Sequence, residues 1–286
     1  MNVVNSDKMN TKIIFVFMLV CSICFFSCSS EETQENQQTV DIQTAYKELN
    51  ESLARYNASF MHETCIVQTR KGKFLKKLAK FLCADASGAL IGGSVGGGVG
   101  AIFGAVLNSA LAGPAMAAET RAVLSVVDVN SFVTVSDGGI GYLHNTILSE
   151  IEAEHPGICN ENVDANYLAS LIVEKMEKYG YYISTSEQTV LINKALSIVP
   201  KVEFETIDQL TSHYQQVLPQ FSNEMNVIQD FVVNVEDISD DIELVKAYTE
   251  GYQKVVAVSN LPEPKKLELK SSLDVAANSA VLWEVD

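Results

Sequence analysis

Gly141-Tyr142-Leu143-His144-Asn145 is the stretch whose residue types and spacing best suit chemistry. His144 falls on a helical stripe that is otherwise apolar (Ile140, Leu143, Ile147, Leu148, Ile151), where a surface pattern would not place an imidazole. Imidazole titrates near neutral pH, so His144 could serve as a ligand or a general base. A buried histidine, bonded to a backbone carbonyl or to Asn145 and fixing a helix crossing, produces the same pattern. No second catalytic partner stands at a diagnostic spacing. The sequence therefore favours the structural role and predicts no catalytic residue; a hydrolase-like enzyme using His144 is the lesser alternative.

Metal and nucleotide chemistry find less support. His62-Glu63-Thr64-Cys65 holds three potential ligands in four residues, but one turn rarely completes a tetrahedral site, no HExxH pattern occurs, and the CxxC at Cys21–Cys24 falls inside the N-terminal apolar run. Asp237, Asp240, Asp241 and Glu243 lack the glycine and spacing of a calcium-binding EF-hand loop and suit a helix N-terminus instead. No GKS or GKT sequence occurs. No metal and no cofactor are predicted.

The elements that must position His144 begin with a run of glycines. Ala86 to Ala118 carries no charge, and Gly88, Gly92, Gly96, Gly100 and Gly104 recur at every fourth position. On one continuous helix they would line a smooth groove about 24 Å long. Small residues in such rows let helix backbones approach closely. Eight glycines between Gly88 and Gly104 also cost about 1 kcal/mol each relative to alanine, so the segment needs packing to be helical. Burial as a helix or hairpin, insertion in lipid over Ile91–Leu111, and an irregular loop are the open outcomes, the first being favoured. Gly113-Pro114 reads as the helix stop.

Arg70 to Lys80 carries six basic residues and no acidic one, with Phe74, Leu75, Leu78, Phe81 and Leu82 on one helical face. That face can pack inside the protein or lie on an anionic membrane. Residues 122–135 read as a strand or a connector. Helices are predicted over Ile42–Phe60, Ile140–Ile151, Tyr167–Tyr179, Ser186–Ile198, Ile207–Phe221, Asn223–Val235 and Asp240–Val258. A last helix carries Leu269, Leu273, Ala276, Ala280 and Trp283 on one face. The predicted fold is mostly α: an irregular multi-helix bundle around a buried glycine-zipper helix or hairpin.

The 286 residues carry a net charge of −16, which excludes general binding to nucleic acid. At the N-terminus, Lys8 and Lys12 precede an apolar run from Ile13 to Phe26 and then Ser27-Cys28, the order of an export signal; Met9 is an alternative start. Phe25-Phe26-Ser27-Cys28 resembles the bacterial lipobox, with Phe25-Phe26 where many lipoboxes carry Leu and a small residue. The resemblance implies a lipid on Cys28. Ser29-Ser30-Glu31-Glu32 resembles the acidic signals that export some Bacteroidota lipoproteins to the cell surface. The expected organisation is a signal peptide (1–27), a lipidated cysteine with a flexible polar tether (28–39), and a helical domain (40–286) containing the glycine-rich segment (86–118) and C-terminal helices (139–286). Cys65, Cys83 and Cys159 would remain after processing, leaving open either one disulfide, Cys65–Cys83 being the most local, or three buried thiols.

Asp85-Ala86-Ser87-Gly88-Ala89 with the glycine-rich run, Gly141-x-x-His144-Asn145, and Val275-Ala276 with Ser279-x-x-x-Trp283 resemble a set of uncharacterised, mainly Bacteroidota, envelope lipoproteins. The resemblance implies a helical exported protein and transfers no catalytic residue. The expected role is a lipid-anchored, non-catalytic interaction or structural module in the cell envelope, on the outer membrane, with a protein partner there. The alternative is a membrane-active or pore-forming protein using residues 70–111.

Overall fold

The computed structural model describes residues 31–64, 75–116, 122–124 and 139–285. The fold is an all-α multi-helix bundle. Two compact units divide the chain, residues 1–47 and 48–286. Helix α1 (Glu31–Glu63) accounts for the described part of the first and opens the second. Residues 31–39, expected within a flexible tether, are helical. Glu and Gln, which dominate this stretch, are good helix formers.

The centre of the second unit is α2 (Leu75–Met116), which is a hairpin rather than one straight rod. Its two arms meet at Gly96 (φ −128°, ψ 21°) and Gly97 (φ 59°, ψ −145°). Three consecutive glycines, 96 to 98, make this the weakest helical stretch of the segment. The glycine ladder is thereby folded in half instead of forming one long groove. Gly92 faces Gly100 and Gly88 faces Gly104, each so close that a Cβ would overlap the opposite carbonyl oxygen. The helix runs through Gly113-Pro114 to Met116 instead of stopping there. Gly113 is needed for another reason: a Cβ there would strike the carbonyl oxygen of Cys159.

Among the described residues seven further helices follow: α3 (Ile140–Glu154), α4 (Ala165–Lys178), α5 (Thr185–Ile198), α6 (Ile207–Val217), α7 (Ser222–Ile238), α8 (Ile242–Ala257) and α9 (Glu263–Ser279). Local sequence sets many of their starts. Ser184 with Glu187 and Thr206 with Gln209 form reciprocal capping boxes, and Asp164 and Asp241 accept the first free amides of α4 and α8. The helix predicted over 207–221 ends at Val217, because Pro219 cannot continue it; Pro219–Phe221 form a short 3-10 turn.

Six helices (α3 to α7 and α9) pack on the hairpin, α9 most extensively. Leu78, Phe81 and Leu82, the face considered for a membrane, are buried. Of the basic segment, residues 70–74 lie outside the described residues, and Lys80 is buried with its ammonium 4.0 Å from Glu203. Residues 78–114 are long and apolar enough to cross a membrane, yet 61% of their most apolar window is buried within the protein. A separate aromatic cluster joins α1 to α7 and α8. Tyr56 stacks on Tyr248, and Phe231 stacks on Tyr248 from α7.

Two short strands pair antiparallel, β1 (Ala122–Leu124) with β2 (Trp283–Val285), Leu124 opposite Trp283. The rest of the 122–135 segment, 125–135, lies outside the described residues. Trp283, predicted on the face of the last helix, is beyond its end: α9 stops at Ser279 and the strand pairing turns the tryptophan back onto the hairpin. Cys83 and Cys159 are buried free thiols, so the Cys65–Cys83 disulfide is not formed; Cys65 itself lies outside the described residues.

Candidate functional site

A chain of buried polar side chains crosses the interface of the hairpin with α3, α9 and the C-terminal strand. It starts at Asp85 on the first arm of α2. Because the arms fold back at Gly96–Gly97, Asp85 meets Ser109 of the second arm, with Oδ1 and Oγ 2.5 Å apart. One residue earlier, Asn108 donates its amide to the Ala84 carbonyl at 2.6 Å, fixing the same register.

Ser109 Oγ also lies 2.8 Å from His144 Nε2 and 2.8 Å from the Ala105 carbonyl oxygen of its own helix. On the other side of the ring, His144 Nδ1 is 2.9 Å from Asn145 Oδ1. Asn145 donates its amide to the Asn278 carbonyl of α9 at 2.8 Å. Asn278 in turn donates to the Asp274 carbonyl (2.8 Å) and to Asp274 Oδ1 (3.2 Å), and Gly141 N–H donates to Asp274 Oδ2 (2.8 Å). A Cβ on Gly141 would overlap Asn278 and the Asp274 carbonyl, so this close crossing of α3 and α9 requires glycine. At the far end, Trp283 Nε1–H donates to Asp85 Oδ2 at 2.9 Å, and its ring stacks on Phe81 with centroids 4.6 Å apart.

Burial governs the electrostatics. Asp85, His144, Asn145 and Asn278 are 0% exposed and Ser109 is 1% exposed. Desolvation holds the His144 imidazole below its usual titration range, against the opposing pulls of Asp85 and the Asn145 hydrogen bond. The same desolvation pushes Asp274 up to about 7, opposed by the Gly141 N–H and Asn278. Burial likewise pushes the Cys83 thiol up to about 12 and raises Cys159 well above its usual value, so neither is a thiolate nucleophile at neutral pH.

Ser109, His144 and Asn145 are spaced like a nucleophile, a base and an orienting amide. The serine lies inside a helix and is bracketed by Asp85 as well as His144. A shallow surface concavity, lined among others by Glu203, Glu205, Asp208 and His213, contains none of these residues. What the arrangement can do is tie both hairpin arms, α3, α9 and the C-terminal strand together through buried hydrogen bonds.

The residues singled out from sequence are distributed unequally. His144 and Asn145 are both in the chain of contacts, and Gly88, Gly92, Gly100 and Gly104 form the close face of the hairpin, while Gly96 is at its tip. His62 and Glu63 close α1; among the described residues no group of three His, Cys, Asp or Glu side chains is placed to hold a metal ion. Asp241 caps α8. Cys28 lies outside the described residues. Sequence reasoning gave no role to Ser109, Asn278 or Asp274. One signal was available for Asp274, a carboxylate flanked by Leu273 and Val275-Ala276-Ala277 on an otherwise buried face.

The fold and the site together define an all-α bundle closed by an internal polar network. In comparisons with known proteins, no family model, curated protein or solved structure matches the chain.

Proposed function

We propose that the protein is a lipid-anchored lipoprotein of the cell envelope, held on the outer membrane through Cys28, whose helical body is a non-catalytic interaction or structural module. The observation that carries the non-catalytic reading is the burial of the Ser109–His144 pair, each of whose polar atoms is taken up by Asp85, Ala105 or Asn145. Substrate would have to displace packed protein to reach either atom. The basic n-region, apolar run and Ser27-Cys28 support the anchor.

Burial of Leu78, Phe81 and Leu82 favours this reading over the membrane-active one, which would need that face free for lipid. The glycine zipper is read as the means by which two helix arms come close enough to build a core, with the module's partner a protein of the envelope. Cell fractionation of wild type and Cys28→Ala tests the anchor. Wild type should sediment with membranes and incorporate labelled fatty acid, and the variant should be released or left unprocessed. An unchanged membrane fraction with normal processing of the variant would contradict it.

A further inference from the structure

Three contacts run in series through the core: Asp85 Oδ1 to Ser109 Oγ, Ser109 Oγ to His144 Nε2, and His144 Nδ1 to Asn145 Oδ1. Each places two electronegative atoms within hydrogen-bonding distance, so each needs a proton between them. One end of the series is fixed. Asn145 spends its amide N–H on the Asn278 carbonyl, so the atom facing the ring is Oδ1, which only accepts. Nδ1 must therefore carry hydrogen. A neutral imidazole then has none on Nε2, and the serine has one hydrogen for Asp85, His144 and the Ala105 carbonyl. That carbonyl is already the acceptor of the Ser109 amide one helical turn on, so it needs no hydrogen from the serine. The three contacts of the series need three protons, and the serine and a neutral imidazole supply two.

The remaining proton belongs to the carboxyl–imidazole pair. Asp85 Oδ2 accepts from Trp283, so on the carboxyl side only Oδ1 can bear it. Without it the core would hold an unbalanced negative charge, which burial penalises heavily. Among the described residues no neighbouring group offsets such a charge. Cys83 on the first arm, Cys159 on the turn after α3 and Tyr214 on α6 all sense Asp85, and burial raises the titration of each, so they stay uncharged. Asp274 is the next carboxyl along the chain, reached through Asn278 and influenced by Lys270. Among the described residues no Lys or Arg forms an ion pair with Asp85.

We propose that Asp85, Ser109 and His144 share one proton beyond those of the serine and the neutral imidazole, making a charge-neutral lock between the glycine hairpin, α3 and the Trp283 strand that loosens at alkaline pH. In the unfolded chain above about pH 6.5, aspartate is ionised and histidine neutral, so this proton is absent. Folding then takes up one proton at this unit, and the folding equilibrium constant falls about tenfold per pH unit. Between about pH 4 and 6.5 the unfolded histidine carries a proton instead, and the unit adds no pH dependence.

Asp85→Asn isolates the effect, because its amide donates permanently to Ser109 while its oxygen accepts from Trp283. The full chain, purified in mild detergent, is unfolded by denaturant at about pH 7 and about pH 8 and followed by the emission of Trp283, the only tryptophan. Asp274 and the thiols contribute equally to both proteins and drop out of the comparison. Wild type should lose about tenfold more of its folding constant across that interval than Asp85→Asn, which should fold with Trp283 buried. Equal pH dependence, or an Asp85→Asn chain that does not fold, overturns the proposal. A second measurement needs only wild type: the ring nitrogen shifts of His144 at about pH 7.5, assigned by their loss in His144→Gln. Hydrogen on Nδ1 is expected. A neutral ring with hydrogen on Nε2 and a bare Nδ1 would overturn the shared proton.

Discussion

Gly92 and Gly100 approach so closely across the α2 hairpin that a Cβ on either would overlap the carbonyl oxygen of the other. The obstacle on both sides is backbone within a packed helix, which cannot swing aside as a side-chain end can. Gly96, at the tip, meets only the carboxyl end of Glu187 at ordinary contact distance. The two positions belong to one sequence pattern but differ in consequence.

Gly100→Ala is therefore expected to destabilise the protein by about 3 kcal/mol or more, through forced separation of the arms. Gly96→Ala should change stability by less than about 1 kcal/mol, since Gly96 already has negative φ and the added methyl finds room. Denaturant unfolding of the two variants checks the contrast. Similar losses at both positions would mean that the arms are not in close contact.

Trp283→Phe keeps an aromatic ring on Phe81 but removes the donor to Asp85 Oδ2. Leaving that buried oxygen without its partner should cost about 1–3 kcal/mol. The chain then has no tryptophan, so the loss is read by circular dichroism during chemical unfolding. Unaltered stability would show that the indole N–H contributes nothing to closing the C-terminal end.

Asp274 gives the α3–α9 crossing a second pH dependence, of calculable sign. Its folded value is raised to about 7 from an ordinary value of 3.8, so the folded state binds this proton more tightly than the unfolded. The associated stability is fully present below about pH 4 and is lost as pH rises toward about 7, at up to about 1.4 kcal/mol per unit. His144 acts oppositely if titrated alone, because its lowered value favours the folded state on the alkaline side. Asp274→Asn should flatten the decline between about pH 5 and 7. A profile identical to wild type over that range would show that Asp274 is ionised there in both states.

The helical fold was largely legible, because stripes at spacings of three and four depend only on local periodicity. The helices over 140–151 and 186–198, and the one beginning at Ile207, are of this kind. His144 also stood out, as a polar residue on an apolar stripe. Its partner Ser109 did not, because it is defined by a contact across a turn. Sequence shows three adjacent glycines at 96–98, but only the positive φ at Gly97 sets the register that brings Asp85 to Ser109, 24 residues away. Trp283 was misplaced for a similar reason: its position follows from pairing with Leu124, far off in sequence. Asp85, His144, Asn145 and Trp283 are joined in one network, which no local pattern shows.

Chemical modification of histidine tests most directly whether the Ser109–His144 pair is closed to solvent and hence to substrate. The chain has four histidines: His62 is exposed, His155 and His213 are partly exposed, and His144 is fully buried. Treatment of the native protein with diethyl pyrocarbonate, read by peptide mass spectrometry, should label His62, His155 and His213 and leave His144 unmodified until the protein is unfolded. Labelling of native His144 at the rate of His155 would contradict a sealed core and return the pair to consideration as a catalytic centre.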